Sequence, residues 1–297
     1  MDPLVIAFGL GVGILIGLTG IGGGSLMTPL LILFAGVQPV VAIGTDLAYG
    51  AITKTLGGWR HVRSGHVDLG LSKWLAFGSV PGSIAGVLLV DALHDHYGKG
   101  FDATLLSFVA AALLIVAVTV LGRAFLIASP RERHTALLGR GGKAGAVAIG
   151  LVLGVILGMT SVGSGALVGL ALIMIFRLTP HRVVGTDVFH AALMLWAAGL
   201  AHLAVGNVDL VLMANILVGS LPGVMIGTAL LGKVPAAALR VVLGCVLLGS
   251  AMGVLIKAGV DLPVWSPVAV PAAIGVLLAI LQRVRARNHA TAEAVPA

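Results

Sequence analysis

The sequence predicts an all-α polytopic membrane protein in which two inverted-topology repeats are followed by one extra C-terminal transmembrane helix. Hydrophobic residues make up 59% of the 297 positions and charged residues only 10%, and the mean hydropathy is +1.12. A soluble globular protein of this length needs far more polar surface, so the composition indicates membrane-spanning helices. An internal repeat and the placement of the basic residues support the rest of the prediction.

The chain contains one pattern twice. A glycine-rich stretch, GLTGIGGGS, runs from Gly17 to Ser25, and its second form, GMTSVGSG, begins at Gly158, an offset of 141 residues (158 − 17). The same offset, without a gap, aligns further motifs: Pro39 with Pro180, Gly44-Thr45-Asp46 with Gly185-Thr186-Asp187, His61 with His202, Gly65-x-Val67-Asp68 with Gly206-x-Val208-Asp209, and Gly78-Ser79-x-Pro81-Gly82 with Gly219-Ser220-x-Pro222-Gly223. A single offset that aligns so many motifs indicates a duplication.

The first repeat is predicted to cover residues 1–126. The apolar runs on either side of its glycine-rich stretch are each shorter than the roughly 20 residues that cross a bilayer, so residues 4–37 are predicted to form a broken helical hairpin. Irregular backbone at membrane depth is tolerated where protein covers it or where it lines a cavity. Three transmembrane helices are expected to follow, at residues 39–58, 69–90 and 101–126.

A basic cytoplasmic connector, residues 127–143, is predicted to lead into the second repeat, residues 144–257. This repeat has the same order of elements: a broken hairpin at 144–176 and transmembrane helices at 183–205, 210–231 and 236–256. The extra transmembrane helix is expected at residues 264–282, and the cytoplasmic tail at residues 283–297.

The basic residues predict the orientation, because short cytoplasmic loops carry the excess of Lys and Arg. The connector is strongly basic, and Arg177 and Arg182 follow the second broken run, so both ends of that run are expected in the cytoplasm. A segment that starts and ends on one side is a re-entrant hairpin, and the three crossings that follow each hairpin invert one copy relative to the other. The N-terminus is then outside and the C-terminus cytoplasmic, although Lys257 near an outer end disagrees. If the broken runs crossed completely, the two copies would instead be parallel.

The duplicated motifs resemble those of the TauE/SafE family of membrane permeases over roughly residues 5 to 256. The resemblance lies in GLTGIGGGSLMTPLLI, AIGTDL, RSGHVDL and GSVPGSIAG, and in the second-copy forms VVGTDV, VGNVDL and GSLPGVMIG. It implies a transporter in the plasma (inner) membrane of a prokaryote, with sulfite, organosulfonates or related sulfur-containing anions as substrates. Many family members have a small polar residue in place of Asp46 and Asp187, which implies a subgroup and leaves the individual substrate open.

The two glycine-rich tips are the predicted substrate site. A half-helix that begins at such a tip points its free backbone N–H groups into the protein, where an anion can accept hydrogen bonds from them. The candidate residues of the tips are Thr19, Gly22, Gly23, Gly24, Ser25, Thr160, Gly163, Ser164 and Gly165. Thr45 and Thr186, beside the two aspartates, are added as candidate substrate ligands. The alternative is that the glycines only allow helices to pack closely.

Two aspartates are the predicted coupling residues. Asp46 and Asp187 lie about seven residues past the proline that starts each helix, and ionisable groups at such depth are rare unless they face a cavity or a partner. Carboxylates that titrate during the transport cycle would couple anion movement to protons, and His190 shares the helical face of Asp187. The alternative is that each aspartate accepts hydrogen bonds from a neighbouring broken backbone and fixes its shape.

Other polar residues have simpler predicted roles. Asp68 and Asp209 begin helices and are expected to cap them. Lys54 is expected to extend its ammonium group to the inner surface, and the alternative is that it attracts the substrate. His61 and His202 are expected in partly hydrated positions near helix ends.

Several other classes of protein lack support in the sequence. A nucleotide-binding loop of the form GxxxxGK[ST] is absent, so ATP-driven pumping is not expected. The net charge of +7 is explained by membrane orientation, so we expect no nucleic-acid partner. No metal site and no cofactor are expected.

We therefore expect a non-enzymatic secondary transporter that alternates access around a central site between the two tips. Its expected partners are a small sulfur-containing anion, membrane lipid and a coupling proton, and the oligomeric state is left open. The alternatives are a channel-like anion permease and an intramembrane aspartyl hydrolase, in which two carboxylates would share a proton and activate water.

Overall fold

Eleven α-helices form the part of the chain that the computed structural model describes, which is residues 3–19, 24–123, 134–136, 138–230 and 236–293. In chain order they are α1 (Pro3–Thr19), α2 (Gly24–Leu33), α3 (Pro39–Arg63), α4 (Leu69–Tyr97), α5 (Asp102–Arg123), α6 (Arg140–Thr160), α7 (Leu167–Met174), α8 (Pro180–Ala204), α9 (Leu210–Leu230), α10 (Ala236–Lys257) and α11 (Ser266–Glu293). Six of these described helices (α4, α5, α6, α8, α9 and α10) are long and apolar enough to cross a membrane. The described residues contain no β-strand, in agreement with the predicted all-α membrane protein.

Several helices extend beyond the predicted transmembrane segments. α3 continues to Arg63 and α4 to Tyr97, beyond the predicted ends at residues 58 and 90. Hydropathy marks only the apolar part of a helix, whereas the helix ends where the backbone turns, here at Gly65 (φ 68°) and Gly98 (φ 54°). α11 likewise continues into the predicted tail.

Each broken run consists of two helices. α1 and α2 flank residues 20–23, which lie outside the described residues, and residues 161–166 separate α6 from α7. α6 begins before the predicted residue 144 and is 21 residues long, enough to cross a membrane by itself. Its first turn takes in the polar residues of the connector, which a hydropathy criterion leaves out.

Glycines form the closest contacts between helices. α1 packs along α9, and α6 packs along α4, each through three glycines spaced four residues apart. A Cβ atom at Gly13 would lie 2.4 Å from the carbonyl oxygen of Ser220, so only glycine allows this approach. The contacts are Gly9 with Ile216, Gly13 with Ser220, Gly17 with Val224, Gly150 with Leu75, Gly154 with Ser79, and Gly158 with Ser83. Residue numbers rise together in each pair, so both pairs of helices are parallel.

α3 and α8 pack against each other and run in opposite directions. Gly44, near the start of α3, lies against His202 near the end of α8, whereas Gly58 near the end of α3 lies against Phe189. The residue numbers therefore fall along α8 as they rise along α3. These two helices occupy matching positions in the two copies, since Pro39 and Pro180 are 141 residues apart.

The second broken run starts and ends beside the same loop. Just before α6, the Ala136 N–H donates to an Asp68 carboxylate oxygen at 3.0 Å. At the start of α8, the Arg182 guanidinium donates to the Val67 carbonyl oxygen at 2.6 Å. The chain between residues 140 and 180 therefore returns to the end of the molecule where it began.

The first broken run returns in the same way at the opposite end. α1 starts near the start of α9, because the two helices are parallel and Gly9 packs against Ile216. The Asp209 N–H at the start of α9 donates to Thr45 Oγ1 near the start of α3 at 3.0 Å. Lys257 also lies at this end, where its ammonium group donates to the Ile32 carbonyl oxygen of α2. This bond gives Lys257 a structural role that the charge rule does not consider.

Candidate functional site

The loop between α6 and α7 forms the tip of the second broken run. Its backbone has positive φ at Ser161 (58°), Gly163 (124°) and Gly165 (105°). Glycine adopts such conformations far more readily than other residues, so the two glycines permit the reversal of the chain. The Thr160 hydroxyl accepts a hydrogen bond from the Val162 N–H at 3.2 Å and so holds the start of the loop. The predicted tip residues with described hydroxyls are all buried: Ser25, Thr160 and Ser164.

Asp46 joins this tip to the first copy of the repeat. The Asp46 side chain is 0% exposed, and its Oδ2 accepts hydrogen bonds from Ser161 Oγ at 2.9 Å and from Thr28 Oγ1 at 2.6 Å. A buried carboxylate requires such donors, and hydrogen bonds to a charged group are the stronger kind. The tip of the second copy, α2 and α3 therefore meet at one carboxylate.

Buried polar atoms without a hydrogen-bond partner among the described residues occur on α2, α3 and α8, and they include Ser25 Oγ, Lys54 Nζ and His190 Nδ1. Ser25 lies one turn from Thr28 on α2, and His190 lies one turn from Asp187 on α8. Buried polar atoms in folded proteins are nearly always paired, so these atoms indicate where water or a ligand is expected to bind.

Lys54 differs from its predicted role. The side chain is 8% exposed, so the expectation that it extends to the inner surface is wrong. Its ammonium group interacts electrostatically with Asp187 and, less strongly, with Asp46. The only signal in the sequence was a lysine two turns beyond an intramembrane aspartate, with Leu195 at the matching position.

The two aspartates lie far apart on the α3–α8 pair. Phe189 packs against Gly58, so Asp187 is level with the last turns of α3. Asp46 is about twelve residues earlier on α3, which corresponds to roughly 18 Å along the helix axis. Lys54 lies between these two levels. Carboxylates at this separation cannot share a proton, and the aspartyl hydrolase alternative loses its geometric basis.

Tyr49 and His190 occupy matching positions and make matching contacts. The His190 Nε2 and Ser79 Oγ atoms lie 3.1 Å apart, which joins α8 to α4. The Tyr49 hydroxyl lies beside Ser220, which joins α3 to α9. Both side chains are buried. The same position thus carries a phenol in one copy and an imidazole in the other.

The predicted substrate ligands Thr45 and Thr186 bond to the backbone of the opposite copy. Thr45 Oγ1 accepts from the Asp209 N–H at 3.0 Å, and Thr186 Oγ1 accepts from the Asp68 N–H at 2.8 Å. Asp68 and Asp209 each accept a further bond from the N–H three residues along, which confirms that they cap α4 and α9. A substrate contact of the two threonines stays a prediction.

The first tip lies only in part among the described residues. Gly22 and Gly23 lie outside the described residues, as does the side chain of Thr19, and Gly24 is the first residue of α2. His202 is fully buried rather than partly hydrated, and its Nε2 donates to the Gly158 carbonyl oxygen at 3.2 Å. In the described ranges no group of three or more His, Cys, Asp or Glu side chains could hold a metal ion.

Comparisons with known proteins agree with a membrane protein of this kind. The family model described as Sulfite exporter TauE/SafE matches residues 5–254. The chain is 41% identical over 220 residues to the probable membrane transporter protein YjnA of Bacillus subtilis (strain 168), which covers 73% of this chain and 85% of that protein. It is 26% identical over 205 residues to the probable membrane transporter protein YdhB of the same organism, with 69% and 80% covered. No solved structure matches the chain.

Proposed function

We propose, for a chain that belongs to the sulfite exporter TauE/SafE family of membrane transporters, that it moves a small sulfur-containing anion by alternating access. The substrate class is sulfite or an organosulfonate, and the site lies between the two glycine-rich tips. The observation that carries this proposal is the meeting of the second-copy tip, through Ser161, with Asp46 and Thr28 of the first copy. A tip held by a buried carboxylate is an element that can be released and reset.

We further infer that the two copies are inverted repeats. The matching helices α3 and α8 are antiparallel, and each broken run returns to the end where it began. Broken helices at the interface of inverted repeats form the substrate sites of many secondary transporters. An antiparallel relation of matching helices is not expected from two parallel copies.

The proposed orientation has a cytoplasmic C-terminus and an outside N-terminus in the plasma membrane of a prokaryote. Arg60, Arg63 and Arg182 lie at the end of the α3–α8 pair that also carries the connector to α6. The loop at the opposite end, residues 205–209, has no Lys or Arg. Clusters of basic residues mark the cytoplasmic side of membrane proteins, so the basic end faces the cytoplasm.

Asp46 is the residue through which proton binding would act on the tip. Protonation would replace two charge-assisted hydrogen bonds from Thr28 and Ser161 with weaker neutral ones. Tyr49 and Lys54 are the other titratable side chains near Asp46, because α2 and the tip contribute hydroxyl groups and the backbone N–H of Thr28. Asp187 and His190 form the corresponding group on α8. Proton binding and tip release are linked in this way.

Transport in proteoliposomes tests the proposal. Labelled sulfite is expected to show saturable counterflow driven by unlabelled sulfite, and sulfoacetate and taurine are compared in the same assay. A flux that neither saturates nor responds to substrate on the opposite side would indicate a channel-like permease and overturn the carrier mechanism.

The same proteoliposome assay tests whether anion transport is coupled to protons. Asp46→Asn is expected to reduce the dependence of transport on a pH gradient by about tenfold or more, since a permanent amide cannot exchange a proton. Asp209→Asn is the matched control, because Asp209 caps a helix at the end of the molecule. Full gradient dependence in both Asp46→Asn and Asp187→Asn would remove the coupling role.

A further inference from the structure

We propose that Lys54 binds the transported anion directly, as the one cationic ligand of a central site that both copies share. This inference rests on the proposed transport function and adds a residue and a charge requirement to its site. The sequence prediction centred on backbone N–H groups of the tips, whereas Lys54 lies on α3, between the levels of the two aspartates.

The state of the ammonium group is the first observation. Lys54 Nζ is buried and has no hydrogen-bond acceptor among the described residues. Burying a charged group is costly unless it is both paired and hydrogen-bonded. The surrounding carboxylates compensate its charge through space but leave its donors unused. An anion at this point would supply the missing acceptors.

The position of Lys54 is the second observation. Trp196 Nε1 donates to Thr55 Oγ1 at 2.8 Å, and these two residues occupy matching positions in the two copies (196 − 141 = 55). Two matching residues that contact each other lie near the pseudo-twofold axis that relates the two copies. Lys54 is adjacent to this point. Its side chain lies on the buried side of α3 and interacts with an aspartate of each copy, more strongly with Asp187 than with Asp46, so it can remain with a substrate while the copies exchange conformations.

The third observation is that only the first copy has a lysine at this position. Leu195 matches Lys54, and its side chain packs against Gly50. The other titratable groups on the two crossing helices near this point are Asp46 and Tyr49 on α3 and Asp187 and His190 on α8, whereas α2 and α9 carry none. One fixed cation indicates one anionic head group per site, of the sulfite or sulfonate type.

Anion binding to the purified full-length protein tests this inference, with the shift in Tm as a function of ligand concentration as the measurement. The probes are sulfite, sulfoacetate, sulfate, chloride and acetate. Lys54→Met is expected to weaken binding by about tenfold or more, because a charge-assisted hydrogen bond to the anion is lost. Lys54→Arg is expected to retain most of the affinity. Lys73→Met is the matched control, since Lys73 is an exposed cation on α4.

A double variant separates ligand binding from a merely structural role. Lys54→Leu combined with Leu195→Lys moves the cation to the matching position across the same contact. Anion binding is expected to return, at least in part, in this double variant, whereas the Tm measured without anion reports separately on any structural ion pair of the lysine. A folded double variant that does not bind the anion would contradict a central position shared by both copies. The double variant also provides a test if Lys54→Met folds poorly.

The outcomes distinguish the two proposals. Unchanged binding in Lys54→Met, with binding in the wild type, overturns the role of Lys54 and leaves the transporter proposal intact. Lys54-dependent binding of chloride or acetate, but of no sulfur anion, supports Lys54 and overturns the substrate class. A wild type that binds none of the five anions overturns both.

Discussion

The two copies of the repeat share a backbone arrangement and differ in the side chains at its centre. Both copies contain the glycines that bring helices together, the threonines that hold the opposite loop, and the aspartates that cap α4 and α9. At the centre, by contrast, Lys54 matches Leu195, and Tyr49 matches His190. Positions that the close packing of the backbone requires are the same in both copies, whereas these two pairs of buried polar or central positions differ.

The surroundings of the two aspartates show the same divergence. Asp46 receives hydrogen bonds from Thr28 and Ser161, whose matching positions are Gly169 and Gly20. Neither glycine has a hydroxyl group, so Asp187 cannot receive the same two bonds. The two copies therefore surround their aspartates with different side chains, and the two aspartates are expected to respond differently to mutation.

Substitution of the packing glycines has the largest expected effect and tests what the copies share. Gly78→Ala and Gly219→Ala would each place a Cβ within 2.0 Å of a carbonyl oxygen, of Val147 and Ile6 respectively. Both variants are expected to lose about 3 kcal/mol or more, or to yield no folded protein. Gly141→Ala is the control, because no atom beyond its chain neighbours and its own helix backbone lies within 4 Å of the added Cβ. Thermal unfolding of the purified variants measures the loss of stability. A large loss in only one of the two variants would show that the glycine packing is not equivalent in the two copies.

Removal of a hydroxyl group that donates to Asp46 tests a contact that only the first copy has. Thr28→Val deletes one hydrogen bond to the Asp46 carboxylate and is expected to cost about 2 kcal/mol, typical of a bond to a charged group. Thr119→Val is the control, since that exposed hydroxyl bonds only to the Ile115 carbonyl oxygen of its own helix. Denaturant unfolding compares the two variants. Equal stabilities would mean that Asp46 does not depend on the Thr28 hydroxyl group.

Substitution of the two matching threonines, Thr45 and Thr186, has the smallest expected effect on stability and tests a contact that both copies share. Thr45→Val and Thr186→Val keep the side-chain shape but leave the N–H of Asp209 or Asp68 without its acceptor, at about 1 kcal/mol each. Anion affinity is expected to stay at the wild-type value in both variants, as measured by the shift in Tm with sulfite. Loss of affinity without loss of stability would instead support the sequence prediction that these threonines bind substrate.

The fold class, the duplication and the helix caps could be predicted from the sequence. Composition, a single offset and the position of Asp68 or Asp209 at a helix start are local or periodic signals, and they do not depend on which helices touch. The helix ends were less predictable, because polar residues such as Arg63 continue a helix beyond its apolar part. The glycine pattern was visible too, but the sequence does not specify which helix approaches each glycine.

The tertiary structure alone decided which polar groups meet in the buried centre. The burial of Lys54, the bond from Ser161 to Asp46 and the separation of the two aspartates all depend on the register between α3 and α8 and on the reach of the second tip. Ser161 and Asp46 are 115 residues apart in the chain, and no local pattern specifies that they meet. The sequence by itself thus determined a duplicated helical membrane protein, whereas packing between distant segments determined which polar groups face one another.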